Sequence, residues 1–317
     1  MTTDQINTAP PERAAAAPLG GEALFRTTMA VLDAPVAEEP LSRKLRVFVI
    51  SLALMVAYFV YWTRGGIRQA VLLISIIFIH EFGHFLGMRW FGYRNTKIAF
   101  VPFFGGVATG VRPNAPAWQQ AIILLLGPLP GILLGAGLMW FGGDRLLVAV
   151  GYAFLVINAL NLAPVVPLDG GQLLRVLFFA RSRWLVVGFT WFGVACLALY
   201  AWSQSDLIIG LLAVMMAIST SSAFQAAKIT DPVRAEGLQL PDEFERLDEA
   251  QRRDLFARTL ALYPEREPYA IARRMRALHT AVVARAPSTA VTLLFFAVYL
   301  AGIALSAWTL LEFWQHD

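Results

Sequence analysis

His80, Glu81 and His84 stand in the order H-E-x-x-H. On a helix, residues four apart share a face, so the two imidazoles can meet one metal ion while the carboxylate lies beside it. That is the geometry of a zinc hydrolase. The residues before it, Ala70-Val71-Leu72-Leu73-Ile74-Ser75-Ile76-Ile77-Phe78, have the composition of a lipid-embedded helix. Charged groups at such depth cost roughly 2.5 kcal/mol or more each, so three ionisable residues within five positions imply a function.

A catalytic zinc takes three protein ligands and keeps one position open. Cys196 is the only cysteine, which removes a disulfide framework and a Cys-based zinc site. His279 and His316 have no His or carboxylate at ligand spacing and are expected to be surface histidines. The candidate third ligand is Asp169, in Asn161-Leu162-Ala163-Pro164-Val165-Val166-Pro167-Leu168-Asp169-Gly170-Gly171. There Pro164 and Pro167 break an apolar helix and bring a carboxylate into the site. Such a break at membrane depth is tolerated where the freed backbone is buried in protein or lines a wet cavity. With one zinc on His80, His84 and Asp169, Glu81 is placed to act as general base towards a water and to return the proton to a leaving amine.

The elements that must hold these residues are membrane helices. The chain has 317 residues, of which only 15% are charged, against about 25% in soluble domains, and its mean hydropathy is +0.59. The formal charge of +4 gives no indication of nucleic acid. Seven apolar segments approach the roughly 20 residues that cross a bilayer: 45–63, 67–90, 118–141, 145–163, 184–203, 207–227 and 288–314. The expected class is an all-α polytopic membrane protein with about seven transmembrane helices and a three-helix catalytic core. Of the 26 basic residues all but Arg64, Arg68 and Arg145 fall on one side in this scheme. The positive-inside rule makes that side the cytoplasm. The N-terminus is then cytoplasmic and the C-terminus lies on the opposite side of a cell membrane.

Four regions follow. Residues 1–44, rich in Ala and Pro, are expected to be a disordered cytoplasmic tail. Residues 45–227 form a six-span membrane domain with the catalytic core at about 65–180. Residues 228–287 form a cytoplasmic helical segment whose second helix has one apolar face, Ile271, Met275, Leu278 and Val282. Residues 288–317 are a C-terminal transmembrane helix. Between the second and third spans, Thr96 to Gly110 is apolar but broken by Pro102 and paired glycines, which predicts a short membrane-associated β-hairpin. Its stretch Ile98 to Val107 offers an edge to which an unwound substrate could add as a strand.

His80-Glu81-x-x-His84 in a membrane helix, together with Asn161-x-x-Pro164-x-x-Pro167-Leu168-Asp169-Gly170-Gly171, resembles the site-2 protease family of intramembrane zinc metalloproteases. The likeness extends to the hairpin and to Gly127-Pro128-Leu129-Pro130-Gly131, and covers roughly residues 65–180. Gly131 departs from it, since many members carry Asn there. The resemblance implies peptide-bond hydrolysis in a transmembrane protein substrate, within the lipid bilayer, as in regulated intramembrane proteolysis. It also implies that Asn161 hydrogen-bonds substrate backbone or the developing oxyanion, which an amide does without bringing a charge. A transporter or metal channel would be expected to show paired broken helices in internal repeats, and the sequence has no second H-E-x-x-H or D-G-G. A catalytically idle scaffold would be expected to have lost Glu81 or a ligand.

Overall fold

The computed structural model describes residues 21–34, 38–63, 66–101, 105–112, 115–165, 168–178, 183–204, 240–264, 266–283 and 287–316, with isolated residues between 210 and 218. In chain order the helices are α1 (Gly21–Asp33), α2 (Leu41–Thr63) and α3 (Gly66–Trp90). The strands β1 (Arg94–Val101) and β2 (Gly105–Val111) come next. They are followed by α4 (Ala117–Leu126), α5 (Pro128–Phe141), α6 (Arg145–Asn161), α7 (Asp169–Phe178), α8 (Arg183–Gln204), α9 (Glu249–Leu262), α10 (Pro268–Val283) and α11 (Thr289–His316). They fall into two compact units, one of residues 37–237 and 284–317, the other of residues 1–36 and 238–283.

In the larger unit, four stretches are long and apolar enough to cross a membrane: Leu41–Tyr61, Gly66–Trp90, Ala117–Phe141 and Thr289–Gln315. Helix α6 and residues Trp191–Ser203 of α8 are shorter apolar helices. Of the seven expected segments, 207–227 lies almost wholly outside the described residues. The third is two helices in line, because Pro128 cannot donate a backbone hydrogen bond and ends α4 at the preceding turn.

Close approach fixes the helix pairs. A Cβ on Gly83 of α3 would overlap the Leu126 carbonyl of α4, and Gly135 of α5 meets the backbone of Leu155 and Gly151 in α6. Small residues that let backbones touch are the usual means of joining helices in lipid, where apolar burial gives little drive. Around them Ala121, Leu125, Ile132, Ala136, Met139, Leu155, Leu162, Leu173, Leu174, Leu177 and Tyr299 form one buried core. The core lies among α4, α5, α6, α7 and α11.

The expected hairpin is present. Strands β1 and β2 pair antiparallel with Ile98 opposite Ala108, Phe100 opposite Gly106 and Val101 opposite Gly105, with an irregularity between Arg94 and Lys97. Asn95 there has φ of 51°, and its side chain accepts the Glu39 N–H at 2.9 Å. Alternate pairs in such a ladder turn their N–H groups outward. The Phe100 N–H points out and donates to Ser51 Oγ of α2 at 3.0 Å. Val101, one residue on, therefore turns its N–H inward towards Gly105 and is no edge donor.

The second unit differs from the expectation of a disordered tail beside a separate helical segment. Helix α1 lies within residues 1–44, and it buries Leu24, Phe25, Thr28 and Leu32 against a unit that contains α9 and α10. The Ala- and Pro-rich composition of the whole stretch concealed this apolar stripe at helical spacing. Phe25 and Phe256 meet edge to face at 5.3 Å. Arg253 lies 4.4 Å from the Phe25 ring centroid and pairs with Glu22 at 2.8 Å, and Arg276 donates to the Leu32 carbonyl at 2.8 Å. Each apolar side chain so buried contributes roughly 1.5–3 kcal/mol. His279, expected at the surface, is buried: its Nε2 meets the Pro241 carbonyl at 2.9 Å and its ring packs on Phe244.

Candidate metal centre

Helix α3 carries His80 and His84 one turn apart, both buried, with their Nε2 atoms 3.1 Å apart. Asp169, the first residue of α7, places Oδ2 at 3.0 Å from His80 Nε2 and 3.1 Å from His84 Nε2. The turn that delivers it follows from the broken end of α6. The Leu168 N–H donates to the Val165 carbonyl at 2.8 Å, and Gly170 has no Cβ, which would overlap the Leu162 carbonyl.

The other ring nitrogens decide the chemistry. His84 Nδ1 lies 2.7 Å from the Ile123 carbonyl of α4. A carbonyl only accepts, so Nδ1 carries a proton, and in the neutral ring Nε2 keeps its lone pair. His80 Nδ1 lies 2.9 Å from Asn158 Oδ1, and that amide is oriented by its own Nδ2, which donates to the Phe154 carbonyl at 2.8 Å. His80 is therefore the same tautomer. With both rings neutral, two imidazole lone pairs and a carboxylate oxygen converge at about 3 Å, the donor set that a divalent cation takes.

The donor set also fits zinc in size. Tetrahedral ligands at about 2.0–2.1 Å stand roughly 3.3 Å apart, close to the three separations observed. Gly127 makes room beside the centre, because a Cβ there would overlap the His84 imidazole. Among the described residues this is the one cluster of three such side chains.

Glu81 is buried, and its carboxylate lies near the Ala108 N–H of β2. Ala108 pairs with Ile98 and shares the outward phase of Phe100, so this contact is made by the outer edge of β2. A Cβ on Gly106 would overlap the Glu81 carboxyl group. The hairpin thus lies directly against the proposed base. Asn161 is half-buried and donates to the Ile157 carbonyl of its own helix at 3.1 Å. The structure therefore brings His80, His84 and Asp169 together and sets Glu81 under the hairpin, while the Asn161 amide is bonded along α6.

Comparison with known proteins gives the same direction. Residues 69–154 match the model of Peptidase family M50. The chain is 30% identical to stage IV sporulation protein FB of Bacillus subtilis over 120 residues, 36% of this chain and 41% of that protein. It is 28% identical to a zinc metalloprotease of Methanocaldococcus jannaschii over 123 residues, 36% of this chain and 35% of that protein. The chain thus spans well under half the length of these relatives. A solved site-2 protease from Methanocaldococcus jannaschii is 20% identical, with 56% of this chain and 87% of that one covered, at a TM-score of 0.39, which is too low to carry a structural argument.

Proposed function

From the match of residues 69–154 to the model of Peptidase family M50, we propose that this chain is an intramembrane zinc metalloprotease that hydrolyses a peptide bond in or near a transmembrane helix of its substrate. The observation that carries this is the convergence of His80 Nε2 and His84 Nε2, on a helix of membrane-spanning length, with Asp169 Oδ2 beside a buried glutamate. One zinc per chain would be held by these three residues. When bound, it would polarise the scissile carbonyl and make a neighbouring water easier to deprotonate.

In this reading Glu81 takes the proton from that water and passes it to the departing amine. Asn161 has a second Nδ2 proton with which it would hold substrate backbone or the developing oxyanion. A transmembrane helix hides its peptide bonds in its own hydrogen bonds, so the substrate must unwind before attack. An extended segment would then add along the outer edge of β2, beside the Glu81 carboxylate. The edge of β1 is less suited, since Ser51 already takes the Phe100 N–H.

The placement that goes with this reading is a multi-pass protein of the cell membrane with about seven spans, a cytoplasmic N-terminus and the C-terminus on the opposite side, as the basic residues suggest. The deciding experiment measures zinc content and cleavage of a model transmembrane substrate by the purified chain and by Glu81→Gln in the same detergent. Loss of cleavage with zinc retained supports the reading; equal cleavage by the variant overturns it.

A further inference from the structure

The two imidazoles of the centre are oriented by different kinds of acceptor. His84 relies on a main-chain carbonyl in α4, which no substitution of Ile123 would remove. His80 relies on one side chain, Asn158 of α6, which is 1% exposed. Both ends of that amide are committed, Oδ1 to His80 Nδ1 and Nδ2 to the Phe154 carbonyl, so it has a single orientation. A buried amide with both ends paired is rigid, because turning it over would leave two polar groups unsatisfied.

The space it occupies is made by the neighbouring helix. A Cβ on Gly131 of α5 would overlap Cγ, Oδ1 and Nδ2 of Asn158. Any larger residue at 131 would push the amide off the His80 ring. Neutral acceptance also has a consequence that a carboxylate would not share. An amide oxygen fixes the proton on Nδ1 without adding negative charge beside Asp169, so the centre keeps more of the cation's positive charge.

We propose that Asn158 is the positioning residue for His80, fixing the tautomer and ring angle that present Nε2 to the metal, and that Gly131 is the residue that lets it do so. The inference rests on the zinc-centre reading above. It is separate from the role assigned to Asn161, which lies one turn further along α6 and bonds to its own helix.

The competing account is that Asn158 only fills the α5–α6 interface. The two are separated by metal affinity measured against fold stability, using the full chain in detergent. Zinc affinity is measured by competition with a chelator, the visible bands of the cobalt-substituted protein report ligand geometry, and thermal unfolding of the metal-free protein reports packing. Asn158→Leu should bind zinc about 10–100-fold more weakly than the parent, the usual cost of losing a partner that orients a ligand, and should shift the cobalt bands. Asn158→Asp, which keeps an oxygen for Nδ1, should stay within about threefold of the parent, well short of that loss. Gly131→Ala should weaken zinc in the same direction as Asn158→Leu. If Asn158→Leu does not fold, the comparison of Gly131→Ala with Asn158→Asp carries the same test.

Zinc affinity and cobalt bands in Asn158→Leu and Gly131→Ala equal to those of the parent would overturn the proposal and leave the metal centre standing. So would a loss in Asn158→Asp as large as in Asn158→Leu. A parent that binds no zinc would overturn the centre itself, and this proposal with it.

Discussion

The Tyr299 hydroxyl of α11 donates to the Leu162 carbonyl at 2.8 Å, at the point where α6 ends and the chain turns towards Asp169. Leu162 is 1% exposed, so no water can replace this donor. Tyr299→Phe should cost about 1–3 kcal/mol, the range for a buried acceptor left unsatisfied. It should also loosen zinc, because the turn that carries Asp169 loses its anchor. Thermal unfolding with and without zinc checks both, and an unchanged melting temperature would count against the anchor.

Asp169→Ala should weaken zinc by more than about 100-fold, beyond the loss expected for an orienting partner, since it leaves two ligands where a catalytic site needs three. Chelator competition reads this directly. If the variant holds zinc as tightly as the parent, another carboxylate is the third ligand.

Glu81→Gln and Gly106→Ala attack the base from two sides. The first should reduce cleavage by about 100-fold or more with zinc content unchanged. The second adds a methyl group where the Glu81 carboxyl lies, and displacements of about 1 Å in an active site typically cost on the order of 100-fold. Its zinc content should also match the parent, because the ligands lie on other elements. Full activity in Gly106→Ala would show that the hairpin does not bear on the base.

Burial pushes the His279 imidazole below its ordinary value of 6.5. In the unfolded chain it takes a proton as pH falls through about 6.5, while in the folded unit it stays neutral to lower pH. Its contribution to stability is thus complete above pH 6.5 and is lost as pH falls from there through the folded value. Hydrogen exchange in residues 268–283, corrected for intrinsic rate, should show less protection at pH 5.5 than at pH 7.5. His279→Gln should flatten that difference, and an identical slope in the variant would refute the assignment.

Helix α1 and residues 240–283 belong to one unit, so both lie on the same side of the bilayer and the chain between them crosses an even number of times. With Cys196 replaced, single cysteines at Glu22, Arg94 and Arg273 should react from the cytoplasmic side, and one at Asp144 only from the other. Labelling of Glu22 and Arg273 from opposite sides would contradict the shared unit. A uniformly inverted pattern would reverse the orientation and leave the metal centre intact.

The candidate ligands could be read from the sequence because charged and imidazole groups in an apolar run are conspicuous, and because spacing by four on a helix fixes the His80–His84 geometry. Asp169 was legible for the same reason, with the prolines marking the break that frees it. Asn158 was not. An amide in α6 costs little and resembles Asn161 three residues on, and only the packing of α6 against Gly131 shows which of the two meets a histidine. The Ile123 carbonyl leaves no trace in the sequence at all, since every residue has one. His279 and α1 were misread through composition: a histidine without ligand neighbours and a tail with many alanines look exposed until a partner helix covers them.

The unit built from α1, α9 and α10 has a further consequence in the order of synthesis. Its first helix leaves the ribosome roughly 200 residues before its partners, which at about 5–20 residues per second is a delay of some 10–40 seconds. Through that interval Leu24, Phe25 and Leu32 have no face to bury against, while the membrane helices are being inserted. This unit can close only after the residues of the candidate metal centre have all been made, so N-terminal truncation past Gly21 should leave an uncovered, aggregation-prone α9–α10 pair.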